Sequence, residues 1–131
     1  MSTPAETAHL PSVAEHAERV LGAWNRHDVE AVLACYVEDC RYRDPNTRGA
    51  MEGHAGLRAY LARLFATWRM DWRVKEVHAF EAGEGGAFLW LADFTPIAGG
   101  DKKRLHGMAL LGLRGDRIAR TEVYFDRTAL L

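Results

Sequence analysis

The chain has 131 residues and a formal net charge of −1, from 17 basic and 18 acidic residues. A chain of this length forms one domain with room for a core and one pocket. The balanced charge gives no electrostatic reason to expect nucleic acid or an anionic membrane as a partner. No apolar run approaches the length of a membrane span.

The N-terminal residues and the two cysteines predict the extent of the domain and the compartment in which the protein is located. Residues 1–10 are predicted to form a flexible arm, and residues 11–131 the single domain. The first ten residues include Pro, Glu and His and do not form an apolar leader. Two cysteines, Cys35 and Cys40, are too few for a disulfide scaffold and read as small apolar residues in a reducing compartment. We therefore predict a cytoplasmic protein.

Helical periodicity dominates the first half of the chain. Ser12 and Glu15 have the spacing of a capping box, which predicts that the first helix begins after Ser12. Asp28 is placed to cap a second, short helix whose apolar face is expected to include Tyr36. Gly53 opens a third helix.

In the second half the apolar period changes from 3.6 to 2. Strands are predicted over 70–81, 86–95, 104–114 and 117–126, with a tight hairpin turn at Gly115. Helices first and strands afterwards indicate an α+β domain with helices packed on one face of an antiparallel sheet.

Strand 86–95 is apolar on both of its faces. One face carries Phe88, Trp90, Ala92 and Phe94, and the other carries Leu89, Leu91 and Asp93. A sheet with one buried face does not need two apolar sides, so we predict a homodimer through the sheet, with Asp93 in a polar interface contact. The alternative is that helices or termini of the same chain cover the second face.

Asp44 is the strongest candidate for chemistry. Strand alternation places Cys40, Tyr42 and Asp44 on one face, so that Asp44 points inward beside a tyrosine. An inward carboxylate suits the role of general base. The alternative, which the local sequence favours, is that Asp44 caps the turn before Pro45.

Other chemistries lack their motifs. The six histidines form neither HxH nor HExxH, and we predict no metal site. The glycines at 83–86 and 99–100 lie in hairpins rather than between a strand and a helix, so a phosphate-binding loop is not expected. No serine or cysteine lies in a nucleophile elbow.

Several short segments together carry a family resemblance. They are Ala-Trp-Asn-Arg-His-Asp at 23–28, residues 36–39, Tyr-Arg-Asp-Pro at 42–45, Gly53 opening a helix, residues 115–118, and Glu-Val-Tyr-Phe-Asp at 122–126. In this order and spacing, over residues 12–131, the chain resembles the nuclear transport factor 2-like superfamily, and within it the SnoaL-like and ketosteroid isomerase-like branch.

The resemblance implies a cone, in which a curved sheet wraps around three helices and leaves a deep apolar pocket. It places Asp44 at the position of a base that moves a proton. The two oxyanion donors of such isomerases are expected near Val20 and Ala109, where neither residue can donate. Losing one such donor costs about 3 kcal/mol, so efficient ketosteroid isomerisation is not expected.

The predicted ligand is a small apolar molecule, bound without cofactor or metal. If the protein is an enzyme, the resemblance implies isomerase or polyketide cyclase chemistry, a proton transfer next to a carbonyl with Asp44 as base and Tyr42 as hydrogen-bond donor. Tyr36, Thr121 and Tyr124 are further candidate donors. The alternative is a ligand-binding or interaction module in which Asp44 only orients a ligand or ends a strand. The predicted pocket walls are Trp24, Phe65, Trp68, Phe88, Trp90, Phe94, Leu111, Val123 and Phe125.

Overall fold

The computed structural model describes residues 10–131. The predicted arm therefore lies outside the described residues, except for Leu10. The helices are α1 (Val13–Asn25), α2 (Val29–Ala34) and α3 (Gly53–Thr67), and a 3-10 helix covers Arg127–Leu130. The strands are β1 (Tyr36–Arg43), β2 (Met51–Glu52), β3 (Trp68–Ala79), β4 (Gly85–Pro96), β5 (Lys103–Arg114) and β6 (Arg117–Phe125).

The predicted local signals are present at the predicted positions. The Ser12 hydroxyl accepts from the Glu15 amide at 3.1 Å, and the Glu15 carboxylate accepts from the Ser12 amide at 3.0 Å, which completes the capping box. Asp28 accepts from the Ala31 amide at 3.0 Å and caps α2. Gly115 adopts φ +62° in the turn between β5 and β6, a conformation that favours glycine.

The prediction that Tyr36 belongs to the second helix is wrong. The helix ends at Ala34, and Tyr36 is the first residue of β1. The Cys35 carbonyl accepts from the Ile118 amide at 2.9 Å, and Tyr36 then pairs in register with Ile118 of β6. Pairing with a distant strand therefore replaces the next helical hydrogen bonds, and the phenol ring of Tyr36 is buried in the core.

The sheet has six strands in the order β2-β1-β6-β5-β4-β3. Its pairs are antiparallel except for β1 with β6, which run parallel. The sheet is thus mixed, whereas an antiparallel sheet was expected. It is curved and not closed, and with the three helices it forms the predicted α+β cone. No helix in residues 10–131 is long and apolar enough to cross a membrane.

The core lies on the concave face of the sheet. Helix α1 packs on β3 and β4, and α3 packs on β1 and β3. Phe88, Trp90, Ala92 and Phe94 of β4 are all buried here, because strand alternation turns every second side chain toward the helices.

The side chains at the alternate strand positions lie on the convex face of the sheet. Leu89 is 42% exposed and Tyr124 is 50% exposed. Asp93 is buried, and its carboxylate accepts from Arg104 at 2.8 Å and lies 3.6 Å from Arg73. Asp93 therefore pairs with two arginines of its own chain.

Candidate active site

Asp44 lies one residue beyond the end of β1 and begins a tight turn. Its Oδ1 accepts from the backbone amides of Asn46 at 2.7 Å and Thr47 at 3.2 Å. The Thr47 hydroxyl accepts from the Asp44 amide at 3.1 Å. The turn-capping role that the local sequence favours is therefore present in the structure.

The other oxygen of the same carboxylate binds two phenols. Oδ2 accepts from the Tyr42 hydroxyl at 2.6 Å and from the Tyr60 hydroxyl at 2.6 Å. Both distances are at the short end for a hydroxyl donor, as is typical when the acceptor is charged. A carboxylate offers about four lone-pair positions, and four donors occupy them here.

Sequence reasoning did not identify Tyr60 as a site residue. It lies on the buried face of α3, between Leu57 and Leu61. A tyrosine at helical spacing among leucines is typical of an ordinary core face. Its role appears only when α3 packs against β1, which brings its ring to 5.7 Å from the Tyr42 ring, centroid to centroid.

Three buried tyrosines, Tyr36, Tyr42 and Tyr60, have strongly altered acidity. Burial is the largest cause, and it raises the pKa of all three phenols because the phenolate is the form that loses solvation. For Tyr42 and Tyr60 the negative charge of Asp44 raises the pKa further. These three hydroxyls therefore keep their protons at neutral pH, and those of Tyr42 and Tyr60 donate to Asp44.

A small cavity of about 30 Å³ lies between α1 and the concave face of the sheet, with Tyr42 in its wall. Val20 and Ala109, which occupy the positions expected for oxyanion donors, both line it. Of the predicted wall residues, those that line the cavity are Trp24, Phe88, Trp90, Leu111 and Val123. Leu21 and Trp72 complete its apolar lining, and Trp72 was missing from the predicted set.

Two hydroxyls provide polar groups in the cavity wall. The Tyr36 hydroxyl and the Thr121 hydroxyl lie 2.9 Å apart, and either can donate to the other. Tyr124, the remaining candidate donor, is half exposed, and its hydroxyl donates to Glu122 at 3.0 Å.

The other predicted wall residues surround the cavity without lining it. Phe94 packs at 5.4 Å from Trp72, and Phe125 at 5.8 Å from Trp90, both between ring centroids. Phe65 packs at 5.6 Å from Trp24 in the same edge-on manner. These contacts support the cavity walls from behind.

Trp68 lines a wider surface groove of about 640 Å³ instead of the cavity. The groove runs between the loop after β1, α3 and the C-terminal 3-10 helix, and Tyr60 lies in its wall. Arg48, Arg63 and Arg127 also line it. Tyr60 therefore connects an open, arginine-lined groove to the Asp44 carboxylate.

The histidines contribute local contacts. The His27 Nε2 accepts from the Met70 amide at 3.2 Å, and the His54 ring lies 3.1 Å from the Tyr36 carbonyl. Within residues 10–131 no group of three or more His, Cys, Asp or Glu side chains could hold a metal ion.

Comparison with known proteins agrees with this geometry. The SnoaL-like domain family matches residues 17–121, and no curated protein matches the chain. A proposed polyketide cyclase from Pseudomonas putida KT2440 superposes with a TM-score of 0.81 at 20% identity, covering 92% of this chain and 96% of its own. A ketosteroid isomerase-like protein from Erwinia carotovora atroseptica superposes with a TM-score of 0.72 at 25% identity, covering 91% of this chain and 97% of its own.

A further similar structure is that of TerC co-crystallised with polyporic acid. It has a TM-score of 0.77 at 21% identity and covers 90% of this chain and 94% of its own. The family match spans most of the chain, and the structural matches share its whole fold. The chain therefore belongs to the SnoaL-like domain family.

Proposed function

We propose that the protein binds a small, largely apolar molecule at the Asp44 end of the cone and transfers a proton next to a carbonyl of that molecule, without a cofactor. The observation that carries this proposal is the position of the Tyr42 and Tyr60 hydroxyls, each 2.6 Å from Asp44 Oδ2. A base and two potential oxyanion donors thus share one hydrogen-bonded cluster.

The chemistry follows from what a substrate must displace. With four donors on its oxygens, Asp44 has no free lone pair for a carbon-bound proton. A substrate that separates one tyrosine from Oδ2 frees a lone pair on the carboxylate and a proton on that phenol. The carboxylate then removes the proton next to the carbonyl, and the C–H electron pair forms the enolate. The freed phenol donates to the enolate oxygen, and the proton returns from Asp44 to another carbon, which gives an isomer.

Two further features support the proposal. The raised pKa of Tyr42 and Tyr60 keeps both phenols protonated, which a donor to an enolate requires. The neighbouring TerC structure contains polyporic acid, which agrees with a small-molecule ligand for a cone of this kind. Because Val20 and Ala109 cannot donate, we expect steroid enones to be poor substrates.

The test compares Asp44→Asn with the wild-type protein on a panel of cyclic ketones and enones. Asparagine keeps the size of the side chain but cannot take a proton from carbon, so turnover should be lost while ligand binding remains. The matched control is Asp39→Asn, because Asp39 is an exposed aspartate of β1 that pairs with Arg114. Equal turnover in Asp44→Asn and wild type would refute Asp44 as the base.

A non-catalytic binding module is the second candidate, and the complete hydrogen bonding of Asp44 favours it. In that case the carboxylate holds the turn and the two tyrosines in place, and a ligand contacts only the tyrosines. Binding of panel members without turnover by wild type or by Asp44→Asn would support this function over the enzymatic one.

We also propose that two copies pair through the convex face of the sheet. Leu89 and Tyr124 are exposed at its centre, and half-buried Leu91, Met108 and Leu110 surround them. Sedimentation should show a dimer at micromolar concentration that Leu89→Lys dissociates. Phe80→Lys is the matched control, because Phe80 is equally exposed at 43% but follows the end of β3. A monomeric wild-type protein would contradict the pairing.

A further inference from the structure

The surface groove of about 640 Å³ is separate from the small cavity. It lies between the loop after β1, α3 and the C-terminal 3-10 helix, and no residue of the described chain lines both. Binding sites for small molecules typically measure about 300–1,000 Å³. The groove can therefore hold a whole small molecule, whereas the cavity of about 30 Å³ has room for one small group or a water molecule.

One side of α3 and the residue after it form a wall of the groove. The residues of this wall follow one another at the spacing of a single helix face, and they are Tyr60, Arg63, Leu64, Thr67 and Trp68. Leu64 and Trp68 are half-buried, as is Leu130, which lines the groove from the 3-10 helix. The groove thus offers an apolar surface on which a ring or an alkyl group can pack.

Three arginines line the groove beside this apolar surface. Arg48, Arg63 and Arg127 are exposed, and none of them forms an ion pair within residues 10–131. Arg127 donates through Nε to the Asn46 side chain at 3.2 Å. This bond holds its guanidinium beside the loop after β1 and leaves its terminal N–H groups for a further acceptor. The arginines therefore have donors available for an anion.

The carboxylates near the groove are bonded to other groups. No Asp or Glu is among the described residues that line the groove. Asp44 accepts from four donors, one of which is Tyr60 in the groove wall. Leu131 lines the groove, and its oxygen accepts from Lys103 at 3.3 Å. The groove thus keeps an excess of positive charge, which attracts anionic ligands.

We propose that the groove binds an organic acid that has an apolar body. The arginines bind its carboxylate, because a planar guanidinium can donate two parallel hydrogen bonds to a carboxylate. The apolar body packs on Leu64 and Trp68. This proposal rests on the proposed function in one respect, namely that the molecule with the reacting carbonyl is this acid, held beside Tyr60 and therefore near Asp44.

The first experiment locates the site with 2-naphthoate as the probe. ¹H–¹⁵N NMR follows the indole N–H signals of the four tryptophans, assigned through single Trp→Phe variants. The aromatic ring of 2-naphthoate should shift the Trp68 signal, because Trp68 lines the groove. The signals of Trp24, Trp72 and Trp90 should stay in place, because these residues line the cavity instead. Shifts confined to the three cavity tryptophans, or no shift at all, would overturn the proposal.

The second experiment compares affinities by isothermal titration calorimetry. 2-Naphthamide is the uncharged control of the same shape, and inorganic phosphate is the anionic control without an apolar body. 2-Naphthoate should bind about fivefold more tightly than either control. Its affinity should fall with rising ionic strength, because interactions between exposed charges are screened by salt. Equal binding of 2-naphthamide would show that the arginines do not select the ligand, and equal binding of phosphate would show a simple anion site. Either result would overturn the proposal.

Arginine variants test the charged contacts directly. Arg63→Gln and Arg127→Gln should each weaken 2-naphthoate binding about two- to fivefold and leave 2-naphthamide binding unchanged. Arg58→Gln is the matched control, because Arg58 is an exposed arginine of the same helix that pairs with Glu30 and does not line the groove. An equal loss in Arg58→Gln would mean that only the overall charge of the protein matters, and it would refute the site.

The groove and the proposed reaction can fail separately. If 2-naphthoate does not bind while Asp44→Asn abolishes turnover of uncharged ketones, the groove proposal is refuted and the reaction stands. If 2-naphthoate binds and depends on Arg63 and Arg127, but the wild-type protein turns over no member of the ketone and enone panel, the groove proposal stands and only the reaction is refuted.

Discussion

Asp44→Ala removes the single acceptor that two buried phenols share. Tyr42 is 2% exposed and Tyr60 is 8% exposed, and both hydroxyls donate to Asp44 Oδ2 at 2.6 Å. Each hydroxyl left unpaired costs about 1–3 kcal/mol. Tyr60 also borders the open groove, where water can replace the carboxylate as hydrogen-bond acceptor. The cost of leaving the Tyr60 hydroxyl unpaired therefore lies at the low end of this range. We expect a loss of about 2–4 kcal/mol in the free energy of unfolding.

The assay is urea denaturation followed by far-UV circular dichroism. The triple variant Asp44→Ala/Tyr42→Phe/Tyr60→Phe should be more stable than Asp44→Ala by about 1–3 kcal/mol, because it leaves no phenol unpaired. Asp39→Ala is the control and should change stability little, since its carboxylate is exposed and paired only with Arg114 at the surface.

Two results would refute this reasoning. A cost below about 0.5 kcal/mol for Asp44→Ala would mean that the phenols find other acceptors, as surface substitutions typically cost no more than this. A triple variant whose loss equals the sum of the single-variant losses would mean that the three side chains do not act as one cluster.

Three further outcomes are expected. The free energy of unfolding should fall as pH rises above about 10, because only the unfolded chain releases the protons of the buried tyrosines. The fall should reach up to about 1.4 kcal/mol per pH unit for each buried tyrosine. A free energy of unfolding that stays constant while phenolate absorbance rises would contradict this prediction. Burial, and then the charge of Arg19, lower the pKa of the buried His16 imidazole. Stability should therefore be lost as pH falls below about 6.5, and His16→Leu should remove that part of the dependence in urea titrations at several pH values. Gly107→Ala should destabilise by about 1–3 kcal/mol, because the new methyl overlaps the Trp90 ring and a β6 carbonyl. Gly112→Ala on the same strand meets its nearest atom at 3.4 Å, and an equal loss there would contradict the steric explanation.

The elements that short segments specify were predictable from the sequence. The capping box at Ser12, the cap at Asp28 and the positive φ at Gly115 each depend on residues within a few positions of one another. The period-2 pattern likewise predicted the four long strands, with ends that differ by no more than two residues, because alternation is a property of the strand itself.

Pairing between distant strands determined the structural features that local sequence patterns could not predict. Tyr36 fits the apolar face of a short helix, yet it pairs with Ile118 of β6. The parallel pairing of β1 with β6 joins segments about 80 residues apart. No local signal in either segment reports which strand becomes its neighbour, so an antiparallel sheet was the default expectation.

Asp44 illustrates both what the sequence determines and what only the tertiary structure decides. The sequence by itself determined a carboxylate at the end of a strand, two residues from Tyr42 and one before a proline, and therefore both a turn cap and a possible base. Only the tertiary structure brought Tyr60 from α3 to the same carboxylate oxygen, and Trp72 beside Trp90 in the cavity wall. The physical reason is that hydrogen bonds and ring contacts between distant elements depend on how a helix packs into a curved sheet, and spacing along the chain does not encode that packing.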